Sequence, residues 1–92
     1  MATTQLTKLV DLVARVHGPH HPHLAEVKER YHRINGQLAA EGTVDREAVL
    51  ADLAKIRELS NDFQTPADGC DGYRMMDRGL AEFVEKTESQ VG

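Results

Sequence analysis

The chain has 92 residues, a formal net charge of −4 and one cysteine, with 40% hydrophobic and 28% charged residues. This length suits a single domain over residues 1–92, and the composition excludes a disordered polar tail. The sequence has no basic stripe, no secretory leader and no apolar run of about 18 residues, so we expect neither a nucleic-acid partner nor a membrane span. The single cysteine excludes an intrachain disulfide and favours a reducing, cytoplasmic location.

Apolar residues at intervals of three and four predict two helices in the first half of the chain. The first begins near Thr3 or Thr4 and ends at Gly18-Pro19. Its expected buried face is Leu6, Leu9, Val10, Val13 and Val16. The second runs from about Pro22 to about Ala40 without a break at Asn35-Gly36. Its expected seam is Leu24, Val27, Tyr31, Ile34 and Leu38.

Two further helices are predicted in the second half. Asp45 or Thr43 caps the third. Its expected seam is Val49, Leu53, Ile56, Leu59 and Phe63. A fourth helix is expected to start at residues 67–69, after Pro66 has ended the third. Its expected buried face is Tyr73, Met76, Leu80, Phe83, Val84 and Thr87.

Short connections between these helices predict an all-α, up-down-up-down antiparallel four-helix bundle. In that topology the close of helix 1 meets the start of helix 2, the close of helix 3 and the start of helix 4. The chain termini and the Gly42 turn lie at the opposite end of the bundle. Each end can therefore carry its own set of polar residues.

The segment VHGPHHPHL places His17, His20, His21 and His23 within seven residues. Imidazole is a common ligand for transition metals, so these four residues are candidate metal ligands. The spacing matches no established zinc motif, and a solvated turn that happens to be rich in histidine is the favoured explanation. His17 continues the buried stripe of helix 1, where it could instead complete the helix end. His32 lies off its seam, at the surface.

Cys70 is expected in the first turn of helix 4, at the same end of the bundle as His17. A cysteine and a histidine at a helix N-terminus can form a nucleophilic pair. A small, half-buried packing residue is the favoured interpretation of Cys70. No phosphate-binding loop, nucleophile elbow or spaced catalytic carboxylates accompany it, so enzymatic activity is not the favoured hypothesis.

Two stretches carry a family resemblance. VARVHGPHHPHLAEVKERY resembles the K-x-x-x-V-H-G-x-x-H-P-E-L-x-x-V segment of the hemerythrin-like proteins that repair iron–sulfur centres. LAKIRELSNDFQTPADGCDGYRMMDRGLAEF is similar to that family's I-R-x-L-T-N-x-Y-x-P-P-x-x-A-C-x-x-Y-x-x-x-x-x-G-L-x-E-L segment. The second stretch is more specific because it keeps the mutual spacing of Thr65-Pro66, Cys70, Tyr73, Gly79 and Leu80.

The resemblance implies a hemerythrin-like bundle, but this chain departs from the family at the iron ligands. Glu41, Arg46 and Gln90 stand where family histidines of helices 2, 3 and 4 would be. These are degenerate ligand positions, and all three continue the inward seams, though near chain ends where water can reach them, at the end of the bundle where iron would sit. An arginine directed at that site opposes cation binding and could pair with Glu41 instead.

These observations favour a divergent hemerythrin-like module that lacks a complete di-iron site and holds no cofactor. Such a module would act by binding or as an accessory protein, linked by the resemblance to nitrosative or oxidative stress. Its partner would be another protein or a second copy, as in a homodimer. The alternative is a metal-binding protein that uses the His17–His23 cluster, or an iron site completed between chains.

Overall fold

The computed structural model describes residues 2–39 and 44–91, which form four α-helices. They are α1 (Ala2–His17), α2 (His23–Ala39), α3 (Arg46–Leu59) and α4 (Asp71–Val91). Each helix packs against two others, in the closed order α1, α2, α3, α4 and back to α1. The all-α four-helix bundle predicted from the sequence is therefore confirmed. Within the described residues, no helix is long and apolar enough to cross a membrane.

The core runs along the middle of the bundle and is mostly aliphatic. Three-and-four spacing places one face of each helix in it. Its buried hydrophobic residues are Leu6, Val10, Val13, Leu24, Val27, Tyr31, Ile34, Val49, Leu53, Ile56, Tyr73, Met76, Leu80 and Val84. Thr87 is also buried, as predicted. Leu9, Leu59, Phe63 and Phe83 are only partly buried and pack against the edge of this core.

Two residues predicted to be buried are exposed. Val16 is 56% exposed, because the inward positions of α1 continue from Val13 to His17 and leave Val16 on the flank. Leu38 is 37% exposed in the last turn of α2. Gly36 lies inside α2, so the prediction of one unbroken helix through Asn35-Gly36 is confirmed.

The helix ends follow from local chemistry. Asp45 caps α3, as predicted, by accepting a hydrogen bond from the backbone N–H of Ala48 at 3.1 Å. Gly18 follows α1 where a Cβ would collide with the carbonyl oxygen of Ala14. Because the backbone at residue 18 passes so close to the carbonyl of Ala14, this position requires glycine.

The prediction that α3 runs to Phe63 is wrong, since the helix ends at Leu59. Asn61, Asp62 and Phe63 all have positive φ, of 53°, 58° and 63°. The Ser60 hydroxyl accepts a hydrogen bond from the backbone N–H of Phe63 at 3.0 Å. This left-handed turn redirects the chain one turn earlier than the apolar spacing indicates.

The prediction that α4 starts at residues 67–69 is also wrong, because the helix begins at Asp71. The backbone N–H of Gly69 bonds the carbonyl of Pro66 at 2.9 Å, which forms a separate turn ahead of the helix. Cys70 then supplies the first helical acceptor, since its carbonyl receives the N–H of Arg74 at 3.1 Å. Asp68 and Cys70 consequently lie before α4 rather than inside it.

Candidate functional site: a thiol, histidines and a tyrosine at one end of the bundle

The candidate site lies where the close of α1, the start of α2 and the turn before α4 meet. Antiparallel packing brings His17 next to Cys70, although 53 residues separate them in sequence. The expectation that these two residues share one end of the bundle is confirmed. The same end also gathers His21, His23 and Tyr73.

His17 and Cys70 form a close pair. The Nε2 atom of His17 lies 3.1 Å from the Sγ atom of Cys70. His17 is half-buried, whereas Cys70 is exposed. The interpretation of Cys70 as a half-buried packing residue is therefore wrong. The helix α4 starts at Asp71, the residue after Cys70, and leaves Cys70 in the exposed turn. A thiol in this position is open to solvent and adjacent to a base.

A second pair lies beside the first. The Nε2 atom of His21 lies 3.1 Å and 3.2 Å from the two carboxylate oxygens of Asp68. This contact holds the pKa of Asp68 below its ordinary value, since the His21 hydrogen bond favours the carboxylate. The carboxylate in turn fixes the orientation of the His21 imidazole.

Tyr73 separates and supports the histidines. Its side chain is buried, and its ring centroid lies 5.2 Å from that of His17 and 5.7 Å from that of His21, both edge to face. Its hydroxyl oxygen lies 3.4 Å from Nε2 of His23. Burial, with smaller contributions from Asp77 and Asp68, raises the pKa of Tyr73 to about 12. The phenol thus stays protonated and serves as a fixed wall of the site.

His23 completes the wall on the α2 side. Burial, and then the charge of His21, lowers the pKa of His23 below its ordinary value of 6.5. The His21 and His23 ring centroids are 6.0 Å apart. His23 is therefore neutral at pH 7, and it contributes a packing surface rather than a charge.

Thr65 anchors the segment that carries Asp68 and Cys70. Its hydroxyl donates a hydrogen bond of 2.6 Å to Oδ2 of Asp77, which is only 3% exposed. Burial raises the pKa of Asp77, and the Thr65 hydrogen bond partly opposes that rise. The turn before α4 is thereby tied to the second turn of that helix.

The four candidate metal ligands are only partly brought together. His17, His21 and His23 lie around Tyr73, whereas the side chain of His20 is exposed and makes no hydrogen bond or ion pair within the described part of the chain. Over residues 2–39 and 44–91, no three His, Cys, Asp or Glu side chains are arranged to hold a metal ion. Metal binding by His17, His20, His21 and His23 stays a prediction. His32 is exposed, as expected, and bonds Asp11 at 2.6 Å.

The opposite end holds the degenerate ligand positions. Arg46 and Gln90 are exposed, at seam positions near the chain ends where water reaches them. The Nε atom of Arg46 donates a hydrogen bond of 2.6 Å to the carbonyl of Val91, the last residue of α4. A cation at a helix C-terminus bonds free carbonyl groups there, which draws Arg46 outward. Glu41, and hence its pairing with Arg46, lies outside the described residues.

Sequence reasoning missed two polar arrangements. The His21–Asp68 pair could have been anticipated from the topology, because both residues belong to segments that meet at the same end. The second arrangement joins α2 to α3: Arg30 and Arg33 each bond the carboxylate of Asp52 at 2.7 Å. Arg30 and Arg33 are three residues apart on α2, a spacing that puts both on one face.

No family model matches this chain, and no solved structure matches it.

Proposed function

We propose that this chain is a small accessory module of the hemerythrin-like, iron-centre-repair type, in which an exposed thiol rather than a di-iron site does the chemistry. The observation that carries the proposal is the 3.1 Å contact between His17 Nε2 and Cys70 Sγ, with Cys70 open to solvent. The sequence resemblance supports the family assignment. The outward position of Arg46 supports an incomplete iron site.

The chemistry follows from the nature of the pair. A thiolate is the reactive form of cysteine, and an adjacent imidazole can take the thiol proton. With a peroxide, the Cys70 sulfur attacks the terminal oxygen and the O–O bond breaks, giving a sulfenic acid and an alcohol or water. The departing oxygen takes up the proton that His17 received from the thiol. Sulfur is oxidised and the peroxide is reduced, so the step balances.

The return step needs a second molecule. The chain has one cysteine, so it has no resolving thiol of its own. An external thiol such as glutathione attacks the sulfenic acid, which gives a mixed disulfide and water. A second external thiol then releases Cys70 by thiol–disulfide exchange. We therefore propose a cytoplasmic sensing or binding role in oxidative or nitrosative stress, with a protein as partner, rather than an independent catalyst.

Alkylation kinetics test the thiol proposal. Near pH 7 we expect iodoacetamide to modify Cys70 faster than it modifies free glutathione. We expect His17→Gln to slow the reaction about tenfold, equivalent to about 1.4 kcal/mol in the barrier. The matched control is His20→Gln, which changes an exposed histidine of the same turn that makes no contact with Cys70. Equal rates in the wild type, both variants and free glutathione would contradict the proposal.

Metal analysis tests the second part of the proposal. We expect purified protein to carry no stoichiometric iron after expression in iron-supplemented medium. Two tightly held irons per chain with an oxo-bridge absorption band would overturn the assignment of an incomplete site. The circular dichroism spectrum confirms that the helices are present in the sample measured.

A second candidate function is transition-metal binding at the same end of the bundle. Its support is the convergence of His17, His21 and His23 around Tyr73, next to the thiol of Cys70. Calorimetric titration with Zn²⁺ tests it, by comparison of the wild type with a variant in which His17, His20, His21 and His23 are all alanine. Equal affinity in the two proteins would remove this candidate. A bound metal together with a dimeric mass would favour a site completed between chains.

A further inference from the structure

The outer surface between α1 and α2 forms an open groove with a cavity volume of about 570 Å³. It is lined by Lys8, Asp11, Leu12, Arg15 and Lys28, among others. Leu12 is 45% exposed, and Val16, one turn further along α1, is 56% exposed. An exposed apolar pair rimmed by charges on a helix face is typical of a surface that binds another helix. We call this surface the α1–α2 groove.

The cations of the α1–α2 groove are poorly neutralised. Within the described residues, neither Lys8 nor Arg15 has a carboxylate within 4.0 Å. Lys28 lies 3.9 Å from Asp11, and that carboxylate already bonds His32 at 2.6 Å. Arg30, Arg33, Lys55, Arg57 and Arg74, by contrast, each form an ion pair within the bundle. The groove therefore offers positive charge to an outside partner.

A complementary surface lies on α4. Residues at intervals of three and four form one exposed row along this helix: Met75, Arg78, Glu82, Glu85 and Ser89. We call this row the α4 stripe. Met75 is 58% exposed. Among the described residues, Glu82 and Glu85 have no cation within ion-pair distance, and Arg78 has no carboxylate. The stripe thus carries an exposed apolar residue and unpaired charges of both signs.

The order of charges on the two surfaces matches. Asp11 and Arg15 are four residues apart on α1, and Arg78 and Glu82 are four residues apart on α4. Four residues span about 6 Å of helix, so one helix laid parallel to the other aligns both pairs. Arg78 then faces Asp11, and Glu82 faces Arg15. The same alignment places Met75 near Lys8.

We infer that the α4 stripe of one copy of this chain binds in the α1–α2 groove of the next copy. The occupant of the groove is a second copy because the complementary order of charges is found on this chain itself. The two faces of the contact differ, so every bound copy still presents one free groove and one free stripe. Such heterologous contacts produce rings or open chains of subunits rather than a closed two-fold dimer.

This inference goes beyond the thiol chemistry, because the α1–α2 groove and the α4 stripe include neither His17 nor Cys70. Sedimentation velocity at low ionic strength tests it, with Cys70→Ser as background so that no disulfide contributes. We expect the average mass to rise above the 10.2 kDa of one chain as concentration increases. High salt should return it to 10.2 kDa, since screening weakens charge pairs at a surface.

Charge reversal identifies the two faces. We expect Lys8→Glu with Arg15→Glu to weaken association at least about tenfold, and Glu82→Lys with Glu85→Lys to do the same. An equimolar mixture of these two proteins should associate again, because each supplies the face that the other lacks. The matched control is Lys55→Glu with Arg57→Glu, which changes the net charge as much as the first variant but lies on α3, outside both faces.

The outcomes separate the alternatives. A wild type that remains monomeric at low salt and high concentration overturns the inference, and would assign the groove to a different partner. Association that survives both reversals also overturns it, because another surface would then be responsible. Failure of the mixture to recover, with all variants folded by circular dichroism, overturns the pairing of these two faces.

Discussion

Two aspartates show how burial alone does not decide the behaviour of a charge. Asp52 is 5% exposed and Asp77 is 3% exposed. Asp52 accepts hydrogen bonds from Arg30 and Arg33, and chiefly the Arg33 bond holds its pKa below the ordinary 3.8. Asp77 has the Thr65 hydroxyl as donor but no cation, and burial raises its pKa. The difference lies in the partner that each carboxylate meets.

Replacing these two residues with asparagine should therefore have opposite effects at pH 7. Asp52→Asn leaves two guanidinium groups without their shared carboxylate, and we expect it to lower the free energy of unfolding by about 2 kcal/mol. Asp77→Asn removes a desolvated charge while its side-chain oxygen can still accept from Thr65, so we expect a rise in the melting temperature. Urea and thermal unfolding of the two variants measure both effects. A stabilising Asp52→Asn would contradict the role given to the arginines.

The pH dependence of each variant follows from the direction of each pKa shift. The stability that Asp52 contributes is fully present above pH 3.8 and is lost as pH falls through its lowered folded-state value. The folded-state pKa of Asp77 lies above 3.8, so the destabilisation caused by its buried charge is absent below pH 3.8. It grows as pH rises above 3.8 and is complete above the folded-state pKa. The gain from Asp77→Asn should thus disappear below pH 3.8, as unfolding curves from pH 3 to 7 would show.

At the residue scale, the sequence predicted which side chains lie close together only where the order and direction of the helices determine their distance. The meeting of His17 and Cys70 follows from antiparallel helices that are joined by short connections. The exposure of Cys70 does not, because it depends on the exact residue at which α4 starts. The Asp68–His21 pair depends on the same turn. Helix ends are set by local backbone hydrogen bonds that apolar spacing does not encode.

At the scale of the helix, the end of α3 shows the limit of periodicity. Leu59 and Phe63 continue the apolar spacing of α3, yet the helix stops between them. Asn61 and Asp62 are residues that tolerate positive φ better than most, and they signal the turn that follows. Phe63 shares that backbone region and still packs its ring against the core edge. An apolar residue that continues the spacing of a helix can therefore pack against the core from the turn that follows the helix.

Two glycines inside helices provide a test at this scale. A Cβ at Gly36 would meet nothing within 4 Å, so we expect Gly36→Ala to stabilise the protein by about 1 kcal/mol through helix propensity. Gly79 is the matched control, because a Cβ there would lie 2.8 Å from Cδ1 of Leu6. Gly79→Ala should give a smaller gain or a loss, since Leu6 must shift. Thermal unfolding distinguishes the two, and equal gains would show that α1 and α4 are not closely packed at Gly79.

At the scale of the whole molecule, Tyr31 links three of the four helices. Its side chain is fully buried in α2, its hydroxyl lies 2.9 Å from Oγ1 of Thr7 in α1, and its ring lies 5.0 Å from that of Phe83 in α4. A single core of this kind, with one residue in contact with several helices, favours cooperative unfolding.

We therefore expect one unfolding transition in which helix content and aromatic environment are lost together. Tyr31→Phe should lower the free energy of unfolding by about 1 kcal/mol through loss of its hydrogen bond. A double-mutant cycle with Thr7→Val isolates that contact. Far-ultraviolet and near-ultraviolet circular dichroism report the two signals. Separate midpoints would show that part of the bundle unfolds on its own.

The overall architecture could be predicted because four apolar seams and short connections leave few arrangements for the chain. The contact of Arg46 with the carbonyl of Val91 could not be predicted from its seam position, because a charged side chain at a helix end gains more from solvent and carbonyl groups than from the core. Spacing identifies which residues can face inward near the middle of a bundle. Near the ends of the bundle, the charge and hydrogen-bonding groups of a side chain decide which way it points.

Because Cys70 is the single cysteine of the sequence and is exposed, a thiol-reactive label would attach to each subunit at one known position. One nitroxide label per chain would sit in the turn ahead of α4, beside His17, at a residue that belongs to neither the α1–α2 groove nor the α4 stripe. Pulsed electron resonance would then read the spacing between neighbouring labels in any assembly. A ring would return a fixed, short series of distances, whereas an open chain would return multiples of one repeat. A residue suited to reacting with oxidants thus also allows the symmetry of a self-associated state to be measured without introducing a new side chain.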